Sequence, residues 1–343
     1  MDKQFFKGKT ILITGAAGTV GSELVKQLAS YDVKELVLID NNESELFFLL
    51  NKFKVRGYAG DICNKEFLMK TFTGVDIIFH CAAMKHVILG ERSPDSVIES
   101  NIIGLQNVID AALYNDVEKL IFTSSDKAVN PTNVMGTSKL MGERIVTATN
   151  SRKHGQKTIF CSTRFGNVIG SRGSVFLVFK KQIKRGGPIS LTDRKMSRFV
   201  MTIPESVKLI LEASVMAEGG EVFVTKMPVM RIEDLAYAMR DIFAPVYRYK
   251  PEDIEIEETG SKPGEKLYEE LMSDEEIKRA YEYDRLFSIL PAFRAEYEKI
   301  LYNHTQNGKK VNKAYNSANE EPFSIDDIKN YLKKHKLVEG NEL

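Results

Sequence analysis

Short apolar runs rich in branched side chains alternate with amphipathic stretches through the first half of the chain. Residues 9–14 (KTILIT) form such a run and lead into Gly15-Ala16-Ala17-Gly18-Thr19-Val20-Gly21. A helix is expected next, with Leu24, Val25 and Leu28 on one face. Residues 35–40 (ELVLID) predict a second strand, 58–61 the end of a third, and 75–81 (VDIIFHC) a fourth. Residues 119–124 (KLIFTS) predict a fifth and 158–164 a sixth. Helices are expected over 98–113, which contains Asn101 and Asn107, and over 136–150. A run that is apolar throughout reads as a parallel strand covered on both faces. Regular alternation of such runs with helices predicts an α/β fold, a doubly wound parallel sheet of the Rossmann kind.

The second half loses this alternation. Helices are expected over 174–185, 204–216 and 231–242, with a strand over 221–225. From 273 onward the chain is charged and reads as mostly helical, with a polar, Asn-rich loop at 303–320. The expected organisation is a dinucleotide-binding domain over 1–170, with an interleaved segment near 190–230. Most of 171–343 then makes a smaller C-terminal substrate-binding lobe, interleaved in sequence. That lobe is expected to close over the carboxyl edge of the sheet, where ligands bind in such folds.

Composition narrows the function classes. The net charge is +1, which implies no polyanion-binding surface and argues against nucleic acid as a partner. Cys63, Cys81 and Cys161 are isolated, so neither a disulfide framework nor a zinc site is suggested. Cys81, inside an apolar run, reads as a small core residue. No apolar run reaches the length of a membrane span, and the first residues lack the apolar stretch of a signal peptide. A reduced, cytoplasmic, soluble enzyme is the expectation.

Gly15, Gly18 and Gly21 stand between the first strand and its helix. The first permits a tight turn, the second lets backbone approach a pyrophosphate, and the third allows close helix–strand packing. The helix start, with Thr19 and Val20, would then face the phosphates with free N–H groups. Such a triplet alone also fits a turn that binds nothing. Asp40, at the end of the second strand, lies where a carboxylate accepts from both adenosine ribose hydroxyls and repels a 2′-phosphate. NAD rather than NADP is therefore expected, although Asp40 also fits a turn residue in Asp40-Asn41-Asn42. Asp61 and Ile62 are placed to meet the adenine, and Ala82 and Ala83 offer small side chains where a cofactor lies against backbone.

The candidate chemical centre follows the fifth strand. Ser125 can hydrogen-bond a substrate hydroxyl or ketone. Lys139 lies one helical turn after Met135, a residue with no proton to exchange. Asp126 and Lys127 therefore supply the acid–base pair, and the lysine needs a pKa lowered by burial beside NAD⁺ and other cations. The alternative is a plain surface pair in a turn.

Seven stretches carry a resemblance: TGAAGTVGSEL (14–24), HCAAMKHV (80–87), NIIGLQNVIDAA (101–112), SSDKAVNPTNVMGTSK (124–139), TRFGNVIGSRGSV (163–175), LTDRKMSRFVM (191–201) and GSKPGEKLYEEL (260–271). In this order they resemble the UDP-N-acetylglucosamine 4,6-dehydratases, the polysaccharide-biosynthesis branch of the extended short-chain dehydrogenases. The resemblance implies a redox-neutral lyase reaction with NAD: oxidation at C4, loss of water across C5 and C6, and reduction at C6. It implies Asp126 as acid toward the C6 hydroxyl, Lys127 as base at C5, Ser125 at the C4 oxygen and Lys139 on the nicotinamide ribose. Met84, Lys85 and His86 would line the sugar pocket. Asn167, Arg172, Arg198 and Glu265 would contact the uridine diphosphate end, where the arginine fork suits a diphosphate. Met135 in place of the usual Tyr, together with Asp40, resembles the branch that retains C5 configuration. That branch is often membrane-anchored, and this chain resembles a free-standing version. Lys262 stands where the family usually has Arg.

Bland readings stand beside these. Lys85-His86 also fits a solvated loop, and Met196-Ser197-Arg198-Phe199 the start of a helix. His86 has no second ligand at metal-binding spacing. The late Glu/Lys-rich helices read as solvated surface or a subunit contact, and a homo-oligomer is expected. Three rival activities remain open: the same dehydration with C5 inversion, a nucleotide-sugar 4-epimerase, and a non-catalytic sensor of UDP-sugars.

Overall fold

The computed structural model describes residues 3–152, 156–260, 264–293 and 300–339. Lys262 lies outside them. The chain forms two compact units. The first comprises 1–165, 204–226 and 271–314, and the second 166–203, 227–270 and 315–343.

The first unit is built on one ten-stranded sheet. Its strands β1 (Thr10–Thr14), β2 (Glu35–Asp40), β3 (Arg56–Ala59), β4 (Ile77–His80), β5 (Lys119–Thr123) and β6 (Ile159–Arg164) run parallel in the order β3-β2-β1-β4-β5-β6. Every residue of β1 and β4 is buried, as their uninterrupted apolar character requires of strands covered on both faces. Leu12, Val37, Ile78, Leu120 and Phe160 pack with Leu105, Val108, Ala112 and Val146 from the helices on one side. The strand order reverses between β1 and β4. Ligands of doubly wound sheets bind at the carboxyl ends beside such a reversal.

The expected helix over 98–113 is present but not uniform. Pro94–Ile98 is α-helical, Glu99–Ile103 is a π turn, and Gly104–Tyr114 resumes the α-helix. A π turn widens the helix by one residue and commonly marks a functional position.

The expectation of helices from 273 onward is corrected. Val222–Thr225 pairs in parallel with β6, and Leu286–Ile289, Ala280–Glu282 and Lys309–Lys310 then extend the same sheet in antiparallel fashion. Only Asp274–Ile277 and Ile325–Lys334 are α-helical among the described residues there. The polar 303–320 stretch holds a 3₁₀ turn at Asn303–Asn307 and two two-residue strands. The reason is burial. Leu286–Ile289 is a fully buried strand whose four residues are too few to stand out against their charged neighbours.

A buried ion triad ties this unit together. Arg164, the last residue of β6, donates to Glu143 at 3.0 and 2.5 Å, to Glu276 at 3.0 Å twice, and to the Leu271 carbonyl at 2.8 Å. Burial alone would raise the Glu276 carboxyl, but the adjacent Arg164 guanidinium outweighs it and holds the group at about 2.

In the second unit, Asn167–Ile169, Ser197–Thr202 and Val229–Arg231 form a three-stranded sheet, and Ile189–Leu191 pairs with Ile256–Glu258. Met196-Ser197-Arg198-Phe199 therefore leads into a strand, not a helix. Phe176, Phe179, Leu235, Met239, Phe243 and Ile328 form its core. Among the described residues no helix is long and apolar enough to cross a membrane.

Arg164→Met should strand two buried carboxylates and cost about 3–5 kcal/mol. Urea unfolding checks this, and a midpoint equal to the wild type's would contradict the triad's role.

Candidate active site

The glycine loop closes tightly over the sheet. Gly15 has φ +66°, and a Cβ there would lie 2.6 Å from the Ala82 nitrogen. A Cβ on Gly21 would lie 2.2 Å from the Gly15 carbonyl oxygen, so the helix Thr19–Leu28 can sit this close only with glycine. Gly18 is the N-cap of that helix. It supplies no side-chain cap, and the first turn contains no acidic residue. The helix start is thus suited to an anion.

Asp40 anchors the loop. Its Oδ2 accepts from the Ala17 N–H at 2.9 Å and its Oδ1 from the Asn42 N–H at 2.9 Å. The turn role and a ribose role are compatible, because a carboxylate has about four acceptor positions. Asp61 accepts from the Cys63 N–H at 2.9 Å, a bond that holds its carboxyl below the ordinary range. The Ile62 side chain is buried in the core, and Asn107 donates to its carbonyl at 3.2 Å. Ala82 and Ala83 are half-buried beyond β4. The small residues, the open helix start and Asp40 together fit a dinucleotide.

Past β4, Met84 is gripped by Asn101. The Asn101 Oδ1 accepts from the Met84 N–H at 2.8 Å, and its Nδ2 donates to the Met84 carbonyl at 3.0 Å and to Ser138 Oγ at 2.9 Å. The π turn aims this buried amide inward. Lys85 and His86 are exposed, and His86 is the N-cap of Val87–Arg92. Cys81 is half-buried by surface area, yet its thiol is pushed up to about 12 by burial.

Beyond the tip of β5, Ser125, Asp126 and Lys127 form one connected group. Ser125 Oγ donates to Asp126 Oδ1 at 2.6 Å, the Lys127 N–H donates to the same oxygen at 2.9 Å, and Lys127 Nζ lies 3.1 and 3.3 Å from the two carboxylate oxygens. The Asp126 side chain is 1% exposed and that of Lys127 30%. An ordinary surface pair would not bury its carboxylate. A carboxylate this enclosed persists only with such partners.

Lys127 keeps 30% of its side chain exposed, and a second amine, that of Lys139, is the more deeply enclosed. Lys139 is buried on the helix Val134–Arg152, donates to the Thr123 carbonyl at 2.9 Å and stands 4.7 Å from the centre of the Phe122 ring. Burial lowers its pKa to about 8. Lys127 keeps a solvent-facing side because it follows the strand tip, whereas Lys139 points back under it. Burial likewise lowers His80 to about 3, and its Nδ1 meets the Thr14 hydroxyl at 2.7 Å. Met135 is buried at the start of the same helix.

In the second unit, Asn167 and Arg198 meet on the buried Glu269. Asn167 Nδ2 donates to Glu269 Oε2 at 2.6 Å, and Arg198 Nε lies 3.3 Å from Glu269 Oε1. Arg172 and Glu265 are exposed.

Sequence reading missed Asn101, Glu269 and Gly136. A Cβ on Gly136 would lie 2.3 Å from the Lys127 carbonyl oxygen, so glycine lets the helix approach the Asp126–Lys127 turn. A glycine one residue after the expected catalytic position was the available signal. Asn101 and Glu269 gave none, since their partners are distant in sequence.

A family model described as polysaccharide biosynthesis protein matches residues 11–291. An uncharacterised membrane protein of Methanocaldococcus jannaschii is 45% identical over 96% of this chain and 97% of its own length. A UDP-N-acetylglucosamine 4,6-dehydratase (inverting) of Campylobacter jejuni is 37% identical over 84% of this chain and 85% of its own. A UDP-glucose 4-epimerase of Rickettsia felis is 35% identical over 95% and 96% respectively. The solved structure of Pen from Bacillus thuringiensis matches with TM-score 0.90 at 38% identity, covering 97% of this chain and 99% of that one. The α/β fold is shared. Two longer relatives are spanned over only 47% and 46% of their length.

The buried Lys139 makes stability depend on pH. Its folded value of about 8 lies below the ordinary 10.5, so between these values the unfolded chain binds more protons and stability rises with pH. At pH 7 burying the charge costs up to about 3 kcal/mol, and above pH 10.5 nothing. Lys139→Met should therefore fare best against the wild type at pH 7, with its relative stability falling by up to about 3 kcal/mol by pH 10.5. Urea unfolding at both pH values measures this. A difference independent of pH would contradict it.

Proposed function

As the chain belongs to the polysaccharide biosynthesis protein family, we propose that it is an NAD-dependent UDP-N-acetylglucosamine 4,6-dehydratase. The product would be the UDP-linked 2-acetamido-2,6-dideoxy-4-keto sugar. The observation that carries this reading is the connected Ser125-Asp126-Lys127 group at the tip of β5, with its carboxylate buried and with Met135 where a phenol would otherwise serve. An enclosed carboxyl beside a half-exposed amine is the equipment for removing water across two adjacent carbons, and a simple epimerase needs neither.

Gly15, Gly18, Thr19, Val20, Gly21, Asp40, Asp61, Ala82, Ala83 and Lys139 would hold the cofactor, with Ile62 contributing backbone only. NAD, when bound, supplies reversible hydride uptake. Asp126 would protonate the departing C6 hydroxyl, and Lys127, whose ammonium protons exchange with water, would remove the C5 proton and deliver one of its own to that carbon. Only one proton need pass across the 3.1 Å contact to turn the resting carboxylate–ammonium pair into an acid beside a free amine. Lys139, held by the Thr123 carbonyl, would supply positive charge near the nicotinamide ribose. Met84, Lys85 and His86 would line the sugar site, with Asn101 fixing the Met84 backbone. Asn167, Arg172, Arg198 and Glu265 would serve the uridine diphosphate, with Glu269 orienting Asn167 and Arg198.

We take C5 configuration to be retained, on the strength of Met135 and Asp40. The relative named as inverting favours the other outcome, and ring coupling constants of the product distinguish them. The relative named as a UDP-glucose 4-epimerase favours a second reading, in which substrate mass stays unchanged.

Incubation with UDP-N-acetylglucosamine should yield a product lighter by one water. Asp126→Asn should abolish that loss by a factor of at least about 100 while NAD stays bound, because an amide cannot act as the acid. Mass spectrometry reads both, and wild-type turnover in the variant would refute the role. Asp40→Ala should weaken NAD and relax discrimination against NADP. Calorimetric titration with the two cofactors checks this, and an unchanged preference would contradict the ribose assignment.

A further inference from the structure

Two carboxylates and an imidazole converge in the first unit, far from the candidate chemistry. Glu218 and Glu221 lie in the segment that leads into the strand Val222–Thr225, and His304 lies on the 3₁₀ turn Asn303–Asn307. Val222–Thr225 runs parallel to β6, so Glu221 stands at the amino edge of the sheet, opposite the edge that carries Asp126. One oxygen or nitrogen from each of the three side chains lies within 4.8 Å of the others. Glu218 and His304 are 86 residues apart, and no cysteine takes part, so sequence spacing gave no sign of the cluster.

Each group is held from behind. Glu221 Oε1 accepts from the Glu218 N–H and its Oε2 from the Gly219 N–H, both at 2.7 Å. Glu218 Oε1 accepts from the Asn303 N–H at 3.1 Å and from Asn303 Nδ2 at 2.8 Å, which leaves Oε2 facing His304 Nδ1 at 2.7 Å. His304 Nε2 meets the Ser288 hydroxyl at 3.1 Å. The rings of Phe223, Tyr283 and Tyr302 surround the imidazole at centroid separations of 6.0, 6.0 and 5.9 Å. The Tyr302 and Tyr283 hydroxyls pin the two backbones, donating to the Gly219 and His304 carbonyls at 2.7 and 3.0 Å. Outer partners of this kind orient the ligands of a metal.

The cluster is short of positive charge. Glu221 is fully buried, and among the described residues no cationic side chain pairs with it. Lys119 acts on both carboxylates through space, but its ammonium is held by the Ser214 and Ala217 carbonyls at 2.9 and 2.8 Å. A buried carboxylate met only by N–H groups is under-compensated.

We propose that Glu218, Glu221 and His304 form a zinc site that clasps the Asn303–Asn307 turn to the sheet. Two carboxylate oxygens, one imidazole nitrogen and a water make a tetrahedral set for this ion. His304 ligates through Nδ1, and its Nε2–H then donates to Ser288, whose hydroxyl suits either tautomer. The imidazole selects zinc over calcium and magnesium, which take all-oxygen sets. Ligand atoms around tetrahedral zinc stand about 3.3 Å apart, so Glu218 Oε2 and His304 Nδ1 move apart by about 0.6 Å on binding. The ion enters past Glu218, whose side chain is 24% exposed against 8% for His304.

The test uses the full NAD-loaded chain, stripped with a chelator and dialysed against zinc chloride. It should retain one zinc per chain. The midpoint of thermal unfolding should rise by a few degrees with zinc and stay unchanged with calcium or magnesium at the same concentration. X-ray absorption at the zinc edge should show nitrogen and oxygen neighbours at about 2.0–2.2 Å, imidazole scattering and no sulfur. His304→Gln and Glu221→Gln should each lose the bound zinc and the rise in midpoint, with the far-UV spectrum of the zinc-free wild type. No zinc retained by the wild type, a sulfur neighbour, zinc kept by both variants, or a rise with calcium equal to that with zinc would overturn the site. Where a variant fails to fold, the wild-type absorption spectrum decides by itself.

Discussion

A carboxylate sealed from water must be compensated where it stands, and the compensation of Asp126 organises its surroundings. The Ser125 hydroxyl, the Lys127 N–H and the Lys127 ammonium all converge on it within 3.1 Å. All three come from Ser125 and Lys127, just beyond the end of β5, so the tip of one strand sets the geometry. The helix that begins at Val134 can approach that tip because Gly136 presents no side chain to the Lys127 carbonyl. The same helix brings Lys139 beneath the strand end and Glu143 to Arg164. Strand, turn and helix are thereby held in one register.

Two buried cations near β5 and β6 are handled by opposite means. Arg164 is matched by two carboxylates and a carbonyl, so its charge is fully satisfied. Lys139 has one carbonyl and an aromatic face, and its pKa falls to about 8 accordingly. The first arrangement contributes rigidity. The second leaves an under-compensated charge close to where a cofactor would lie, which is where strongly shifted groups tend to serve function.

The parallel sheet was legible because runs such as TILIT and IIFH have no alternation of apolar and polar positions through their middle, the pattern of strands covered on both faces. The tight glycine loop and the Asp126–Lys127 contact were legible because the residues involved are close in sequence. What escaped depends on distant partners. Arg164 finds Glu276 across 112 residues, Asn101 reaches Met84 and Ser138 through a π turn that no periodicity announces, and Glu269 joins Asn167 to Arg198. Leu286–Ile289 was hidden among charged neighbours, so a segment expected to be helical turned out to extend the sheet. The burial of Lys139 was not foreseen, because residue spacing does not reveal which of two amines points inward.

In the proposed reaction the hydride that leaves C4 returns to C6 of the same sugar, while C5 exchanges its proton through Lys127. This is tested most directly by converting UDP-N-acetylglucosamine deuterated at C4 in ordinary water and, separately, the unlabelled sugar in heavy water. The account predicts a dehydrated product carrying the C4 deuterium at C6 in the first case, and one solvent deuterium at C5 in the second. A sugar of unchanged composition with its deuterium still at C4, and none gained at C5, would contradict it.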